Sequence, residues 1–87
     1  MIFTIDISEQ ALSELENLPL RIQLHITRKI NQVLKIHPYP HGNNPKRLKG
    51  EKLFRLRVGD YRVVYQVMGV IVKITNIGHR KDIYRDI

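Results

Sequence analysis

The sequence predicts an α+β domain of order β-α-α-β-β-β, in which a helical hairpin packs on a small, largely antiparallel four-stranded sheet. Three observations lead to this prediction. An alternating apolar and polar segment opens the chain, two segments with helical spacing follow it, and three segments rich in β-branched and aromatic residues come last. With 87 residues, the chain is expected to form a single domain, 1–87, with one modest core.

The first strand is predicted at residues 4–7, where Ile5 and Ile7 alternate with polar neighbours. Ser8 then suits the N-cap of a helix, because its hydroxyl can accept a hydrogen bond from a free N–H of the first turn. Apolar residues follow at helical spacing and end near Leu18, so the first helix is short. This apolar stripe consists of Ala11, Leu12, Leu15 and Leu18.

A second helix is predicted to begin after Pro19, which is tolerated in a first helical turn because its missing N–H would have no partner there. Its apolar residues fall on one face and its basic residues on the other. The apolar face comprises Ile22, Ile26, Ile30, Val33 and Leu34, and the basic one Arg21, Arg28 and Lys35. Two helices joined by so short a link form an antiparallel hairpin.

The segment from Pro38 to Pro45 is rich in proline, glycine and asparagine, and it predicts the one substantial loop. Three strands are predicted after it, at residues 53–58, 61–68 and 70–77. Gly59-Asp60 and Gly69 mark the turns between them. Val70, Val72 and Ile74 are expected to point toward the core, and Gly78 is expected to end the last strand.

The charge of the chain is strongly positive and unevenly distributed. Fifteen lysines and arginines oppose eight acidic residues, for a formal charge of +7, and seven of the basic residues lie between Lys46 and Arg62. Such a field favours polyanionic partners. There is no cysteine, and we see neither a signal peptide nor a membrane-spanning segment. A cytoplasmic protein without a membrane partner is expected.

The hairpin around Gly59-Asp60 predicts a cluster of arginines. If the turn has two residues, Arg57 lies directly opposite Arg62, and Arg55 lies two residues further along the same face. Like charges in direct opposition are destabilising, so nearby carboxylates or an anionic ligand must compensate them. A phosphodiester is the natural ligand. The alternative is an ordinary charged strand face in contact with solvent.

Three further groups follow at the end of the last strand: His79, Arg80 and Tyr84. RNA carries its own nucleophile in the 2′-hydroxyl, so its cleavage needs a base, an acid and cations around the phosphate, but no metal or cofactor. These residue types match that requirement. Each also has a simpler explanation, as a surface histidine, a solvated basic tail, or a tyrosine packed on the edge of the core.

A metal site is not expected. His37 and His41 are four residues apart, but Pro38 and Pro40 prevent the helix that would place both on one face, and no third ligand is evident.

Two segments resemble the RelE/ParE toxin superfamily: residues 53–67, LFRLRVGDYRVVYQV, and residues 78–84, GHRKDIY. The resemblance extends over essentially the whole chain. It implies a toxin of a type II toxin-antitoxin pair. In the RelE branch it implies an endoribonuclease, or mRNA interferase, that cleaves mRNA in the ribosomal A site of the 30S subunit through 2′-hydroxyl attack. It also implies a cognate antitoxin that forms a hetero-oligomer with the toxin.

The resemblance assigns roles to individual residues. Arg62 and Arg80 match the phosphate-gripping arginines of the family, and Tyr84 matches its terminal catalytic tyrosine. Arg55 and Arg57 stand where the best-studied RelE members carry lysines. Because an arginine does not lose its proton in a protein, His79 or Tyr84 is then the candidate for proton transfer. Arg55 and Arg57 are expected to bind RNA phosphates, together with Lys49 and Lys52 from the same basic stretch.

Two other functions are compatible with the sequence. A ParE-like toxin would share the fold but inhibit DNA gyrase without cutting RNA; the presence of Arg62, Arg80 and Tyr84 together favours the RelE branch. A basic nucleic-acid-binding module without catalysis would bind with a strong dependence on salt.

Overall fold

In the part of the chain that the structure describes, two helices lie on one face of a five-stranded mixed sheet. The computed structural model describes residues 2–48 and 53–82, so the predictions for Lys49, Lys52 and Tyr84 lie outside the described residues. The elements are β1 (Thr4–Ile7), α1 (Glu9–Glu16), α2 (Leu20–Lys29), a π-helical turn (Ile30–Leu34), β2 (Lys46–Arg47), β3 (Phe54–Val58), β4 (Tyr61–Met68) and β5 (Ile71–His79).

The strand order is β1-β5-β4-β3-β2, with β1 parallel to β5 and the other neighbours antiparallel. The predicted α+β class is confirmed, but the predicted number of strands was one too few. The additional strand, β2, pairs Lys46 with Arg55 and Arg47 with Phe54. Two residues directly after a proline-rich loop show no alternation, so a sequence pattern could not reveal this strand.

The helices begin as predicted. Ser8 caps α1, its Oγ accepting a hydrogen bond from the N–H of Ala11 at 3.1 Å. α2 follows Pro19 and then widens into the π-helical turn, where the N–H of Lys35 donates to the carbonyl of Ile30 at 3.2 Å. None of the helices in residues 2–48 and 53–82 combines the length and apolar character needed to cross a membrane.

The core lies between the helices and the sheet. α1 packs mainly on β5, and α2 packs on β3. The buried set comprises Phe3, Ala11, Leu15, Ile26, Ile30, Leu34, Phe54, Leu56, Val58, Val63, Tyr65, Val72, Ile74 and Ile77. The predicted core position of Val70 was wrong, and one residue of the apolar stripe of α1 is exposed. Leu12 is 44% exposed on α1, and Val70 is 47% exposed because it lies in the turn after Gly69 rather than in β5.

A β-bulge changes the phase of β5. Tyr65 lies opposite Ile74, but Val64 lies opposite Asn76, so Thr75 is an extra residue without a partner on β4. The hydroxyl of Thr75 donates to the carbonyl of Val64 at 3.3 Å. The strand also continues through Gly78 to His79 instead of ending at Gly78. Residues after the bulge therefore point to the faces opposite to those that simple alternation predicts.

Candidate functional site

One side of the sheet carries a group of basic side chains away from the helices. We call it the basic face and define it by the residues Lys46, Arg55, Arg57, Arg62 and Arg80. Within it, Arg57 lies directly opposite Arg62 across β3 and β4, as the hairpin register predicted, and Lys46 lies opposite Arg55. Directly opposed residues share a face of a sheet. Four cations from three adjacent strands therefore lie side by side, and Arg80 joins them from the end of β5.

The β3–β4 turn positions Arg62. Gly59 has a φ of 61°, a left-handed conformation that glycine adopts without steric cost, and it allows the two-residue turn. Nη1 of Arg62 donates to the carbonyls of Gly59 at 3.3 Å and of Tyr61 at 3.1 Å. These contacts hold the guanidinium beside the turn and occupy only one of its three nitrogens.

Arg80 is attached to the same turn. Its backbone N–H donates to the carbonyl of Asp60 at 2.8 Å, and its Nε lies 3.9 Å from Oδ1 of Asp60. The side chains of Arg80 and Asp60 are 56% and 68% exposed, so solvent screens their attraction. The backbone contact is the stronger constraint, and it places Arg80 at the end of the hairpin that carries Arg62.

The strand arginines of the basic face are not neutralised by carboxylates in the described part of the chain. Within residues 2–48 and 53–82, Arg55, Arg57 and Arg62 form no ion pair with a carboxylate, and Asp60 pairs only with Arg80. Nη1 of Arg55 is shielded from solvent and has no hydrogen-bond acceptor among these residues. A multivalent oxyanion such as a phosphodiester would supply acceptors to several of these groups at once.

His79 does not join the arginines. The bulge at Thr75 puts it opposite Tyr61, whose ring packs against the core on the helix side of the sheet. The two rings meet edge to face with centroids 5.4 Å apart. Nδ1 of His79 accepts a hydrogen bond from the N–H of Lys81 at 3.1 Å, which places the proton of the neutral ring on Nε2. Through these two contacts, His79 constrains the backbone at its own position and at Lys81, on either side of Arg80.

The edge of β3 is held by a residue that the sequence analysis missed. The side-chain amide of Asn44 donates from Nδ2 to the carbonyl of Arg57 at 2.9 Å, and its Oδ1 accepts from the N–H of Arg57 at 2.6 Å. Asn44 thus replaces one residue of a neighbouring strand. The available signal was weak: an asparagine in a proline-rich loop has the right amide geometry, but sequence does not reveal which backbone it meets.

The two histidines of the loop come together despite the prolines between them. The rings of His37 and His41 meet edge to face with centroids 4.2 Å apart, and Nδ1 of His41 is hydrogen-bonded to the carbonyl of Tyr39 at 2.7 Å. In the described part of the chain, no three candidate ligands are grouped so that they could hold a metal ion.

The sequence profile described as ParE toxin of type II toxin-antitoxin system, parDE, matches residues 5–84. The chain belongs to the RelE/ParE superfamily of toxins. A Methanocaldococcus jannaschii protein named RelE1 is 32% identical to this toxin over 90 residues, with 99% of each chain covered. The resemblance seen in the sequence is therefore confirmed.

Solved structures agree with the family and with the fold. The Mycobacterium tuberculosis toxin-antitoxin complex RelBE2 contains a chain with 27% identity and a TM-score of 0.78, covering 94% of this toxin and 95% of that chain. A free Escherichia coli RelE variant with two arginines replaced by alanine has 27% identity and a TM-score of 0.76. The match covers 93% of this toxin and 86% of that chain. A chain of the Pseudomonas aeruginosa ParDE system shares the fold at 13% identity, with a TM-score of 0.69. The match covers 90% of this toxin and 96% of that chain.

Proposed function

We propose that this toxin is a metal-independent endoribonuclease of the RelE type, which cleaves ribosome-bound mRNA by 2′-hydroxyl attack and so inhibits translation. The observation that carries the proposal is the direct opposition of Arg57 and Arg62, with Arg80 at the end of the same hairpin and no carboxylate paired with either strand arginine in residues 2–48 and 53–82. Cations directly opposite each other on neighbouring strands lower the stability of the sheet unless an anionic ligand compensates their charge.

The basic face suits the charge that develops during this reaction. Attack of the 2′-oxygen on phosphorus forms a phosphorane with more negative charge than the starting diester, and cations placed around it favour the transition state over the ground state. Arg62 and Arg80 would contact the reacting phosphate. Arg55 and Arg57, with Lys49 and Lys52 from the sequence analysis, would bind neighbouring phosphates.

Proton transfer needs a different group, because arginine keeps its proton. We assign it to Tyr84, on the basis of the sequence resemblance. His79 would act indirectly, by fixing the backbone on either side of Arg80 through the ring of Tyr61 and the N–H of Lys81. In this proposal, the arginines contact the phosphate and Tyr84 transfers the proton.

The proposal includes a protein antitoxin as partner. Several of the solved relatives are RelE toxins in complex with RelB, among them those of Escherichia coli and Pyrococcus horikoshii. A protein with a formal charge of +7 is suited to an acidic partner that covers its basic face.

The test is to map mRNA 5′ ends in a translating extract after adding the wild type, Arg80→Ala or Tyr84→Phe. We expect new ends with the wild type and at least about a 100-fold loss of cleavage in both variants. Arg28→Ala, which removes an exposed arginine from α2, is the matched control and should cleave like the wild type. Equal cleavage by all four proteins would remove Arg80 and Tyr84 from the site.

A gyrase-directed toxin is the second candidate, favoured by the ParE profile that matches residues 5–84. It predicts that the purified protein inhibits supercoiling by DNA gyrase and that no new RNA ends appear in the extract. The two assays together separate the branches.

A further inference from the structure

Two exposed histidine side chains meet in the proline-rich loop, although no helix brings them together. The rings of His37 and His41 are nearly perpendicular, at 88°, and their centroids are 4.2 Å apart. Neutral imidazole is a preferred ligand of divalent zinc, copper and nickel in proteins. The pair therefore offers two neighbouring ligands for a metal ion of this class.

The hydrogen bond of His41 prepares its ring for such an ion. Nδ1 of His41 lies 2.7 Å from the carbonyl oxygen of Tyr39. A carbonyl oxygen only accepts, so Nδ1 carries the proton of the neutral ring and Nε2 keeps its lone pair. Metal-binding histidines generally show this arrangement, in which the nitrogen that does not bind the metal donates to a carbonyl or a carboxylate. His41 therefore presents an oriented ligand atom, Nε2.

The separation of the two rings suits an ion bound between them. A ligating nitrogen lies about 2.0 Å from the metal, which places the centroid of its ring about 3.1 Å from the metal. Two rings bound at a right angle, as in square-planar coordination, then have centroids roughly 4.5 Å apart. The observed distance of 4.2 Å is close to this value. His37 can turn toward the ion, because its exposed ring has no hydrogen bond to another of the described residues.

The backbone between the two histidines is held on the core. The carbonyl of Pro38 accepts a hydrogen bond from the buried hydroxyl of Tyr65 at 2.5 Å. The ring of Tyr39 meets those of Phe3 and Phe54 edge to face, with centroid distances of 6.0 and 6.5 Å. Ligands on an ordered backbone lose less conformational entropy when they bind. The loop thus favours binding by both rings at once.

We propose that His37 and His41 together bind one divalent transition-metal ion, with water in its remaining positions. Two protein ligands are fewer than the three of a catalytic zinc site or the four of a structural one, so binding is weak and reversible. No step of the proposed RNA cleavage uses this ion. The proposal therefore stands or falls separately from the ribonuclease activity.

Isothermal titration calorimetry of the untagged toxin with nickel chloride tests the site. We expect one Ni²⁺ per chain in the wild type and at least about a 10-fold lower affinity in His37→Ala and in His41→Ala, because each variant lacks one of the two ligands. His25→Ala, which removes an exposed histidine of α2, is the matched control and should bind like the wild type. Mg²⁺ should not bind, because it prefers oxygen ligands.

The stoichiometry separates a shared ion from two independent histidines. Independent histidines would bind two ions in the wild type, and each variant would keep one of them with unchanged affinity. That result would overturn the proposal, as would wild-type affinity in either variant or the absence of binding at millimolar Ni²⁺. Thermal unfolding without metal, expected at the same temperature for all four proteins, shows that the variants are folded.

NMR of the histidine ring nitrogens during a titration with Zn²⁺, which is diamagnetic, identifies the ligand atoms. We expect Zn²⁺ to shift the ring nitrogens of His37 and His41, and Nε2 of His41 more than its Nδ1, because Nδ1 stays bonded to the carbonyl of Tyr39. The ring signals of His25 should not move. Shifts confined to other histidines would place the ion elsewhere and overturn the proposal.

Discussion

Arg62 and His79 make different contacts on opposite faces of the sheet. The guanidinium of Arg62 is held by two backbone carbonyls of its own turn, at 3.3 and 3.1 Å, and is directed to the basic face. His79 packs on Tyr61 on the other side of the sheet and accepts a hydrogen bond from Lys81. The two side chains therefore lie on opposite faces of the sheet, although they come from neighbouring strands.

We predict that His79→Phe lowers the cleavage rate by less than about 10-fold and leaves the pH dependence of the rate unchanged. Phenylalanine keeps the ring contact with Tyr61 and loses only the acceptor for the N–H of Lys81. A histidine that moved a proton in the reaction would contribute about 100-fold or more, and its removal would abolish one limb of the pH profile. Cleavage rates measured from pH 5 to 9 distinguish the two outcomes.

At the scale of elements, two connections hold the proline-rich loop on the sheet. The amide of Asn44 pairs with the backbone of Arg57, and the hydroxyl of Tyr65 donates to the carbonyl of Pro38 at 2.5 Å. Tyr65 is fully buried, and burial raises the pKa of its hydroxyl above the usual range of a tyrosine. The loop is therefore fixed near both of its ends.

Tyr65→Phe should lower the free energy of unfolding by about 1 to 3 kcal/mol, because the buried carbonyl of Pro38 loses its donor. The effect should depend on pH. Above the ordinary tyrosine pKa of about 10, the unfolded wild type loses the Tyr65 proton more readily than the folded one, so wild-type stability falls as the pH rises. The difference in the free energy of unfolding between wild type and variant should therefore become smaller above pH 10. Urea unfolding at pH 7 and pH 10.5 measures both effects; an unchanged difference would contradict the assigned burial effect.

The order of elements was predictable because each local pattern is complete within a few residues. Alternation indicated β1, β3 and β4, helical spacing indicated α1 and α2, and Gly59-Asp60 set the register of Arg57 against Arg62. The bulge at Thr75 was not predictable, since it arises from how β5 fits β4 and leaves no mark on the alternation before it. For the same reason, neither β2 nor the pairing of Asn44 with Arg57 could be read from the sequence.

At the scale of the whole molecule, the cluster of basic side chains lies on one face of the sheet. The basic face, Lys46, Arg55, Arg57, Arg62 and Arg80, lies on the side of the sheet away from the helices, and β1 and β2 lie at opposite ends of the strand order. Under the proposed function, the basic face is the surface that binds RNA.

Binding of a non-cleavable 2′-deoxy oligonucleotide should weaken steeply as salt increases, because phosphate contacts release counterions. We predict that Arg57→Gln makes the slope of log K against log salt less negative by about 0.7, the value for one phosphate contact on a single strand. Arg28→Gln changes the net charge equally but lies on α2, and its slope should match the wild type. Fluorescence titrations at four salt concentrations measure these slopes. Equal slopes for the two variants would mean that only the net charge acts, without specific contact at Arg57.

The sequence by itself determined the α+β class, the hairpin register, the opposition of Arg57 and Arg62, and the family. These depend on local periodicity, turn chemistry and residue types that stand next to one another in the chain. The tertiary structure alone decided that His79 lies on the opposite face of the sheet from the strand arginines, that Asn44 holds β3, and that β1 lies beside β5. Each of these depends on which strand lies beside which, and a single extra residue at Thr75 is enough to turn His79 to the other side of the sheet.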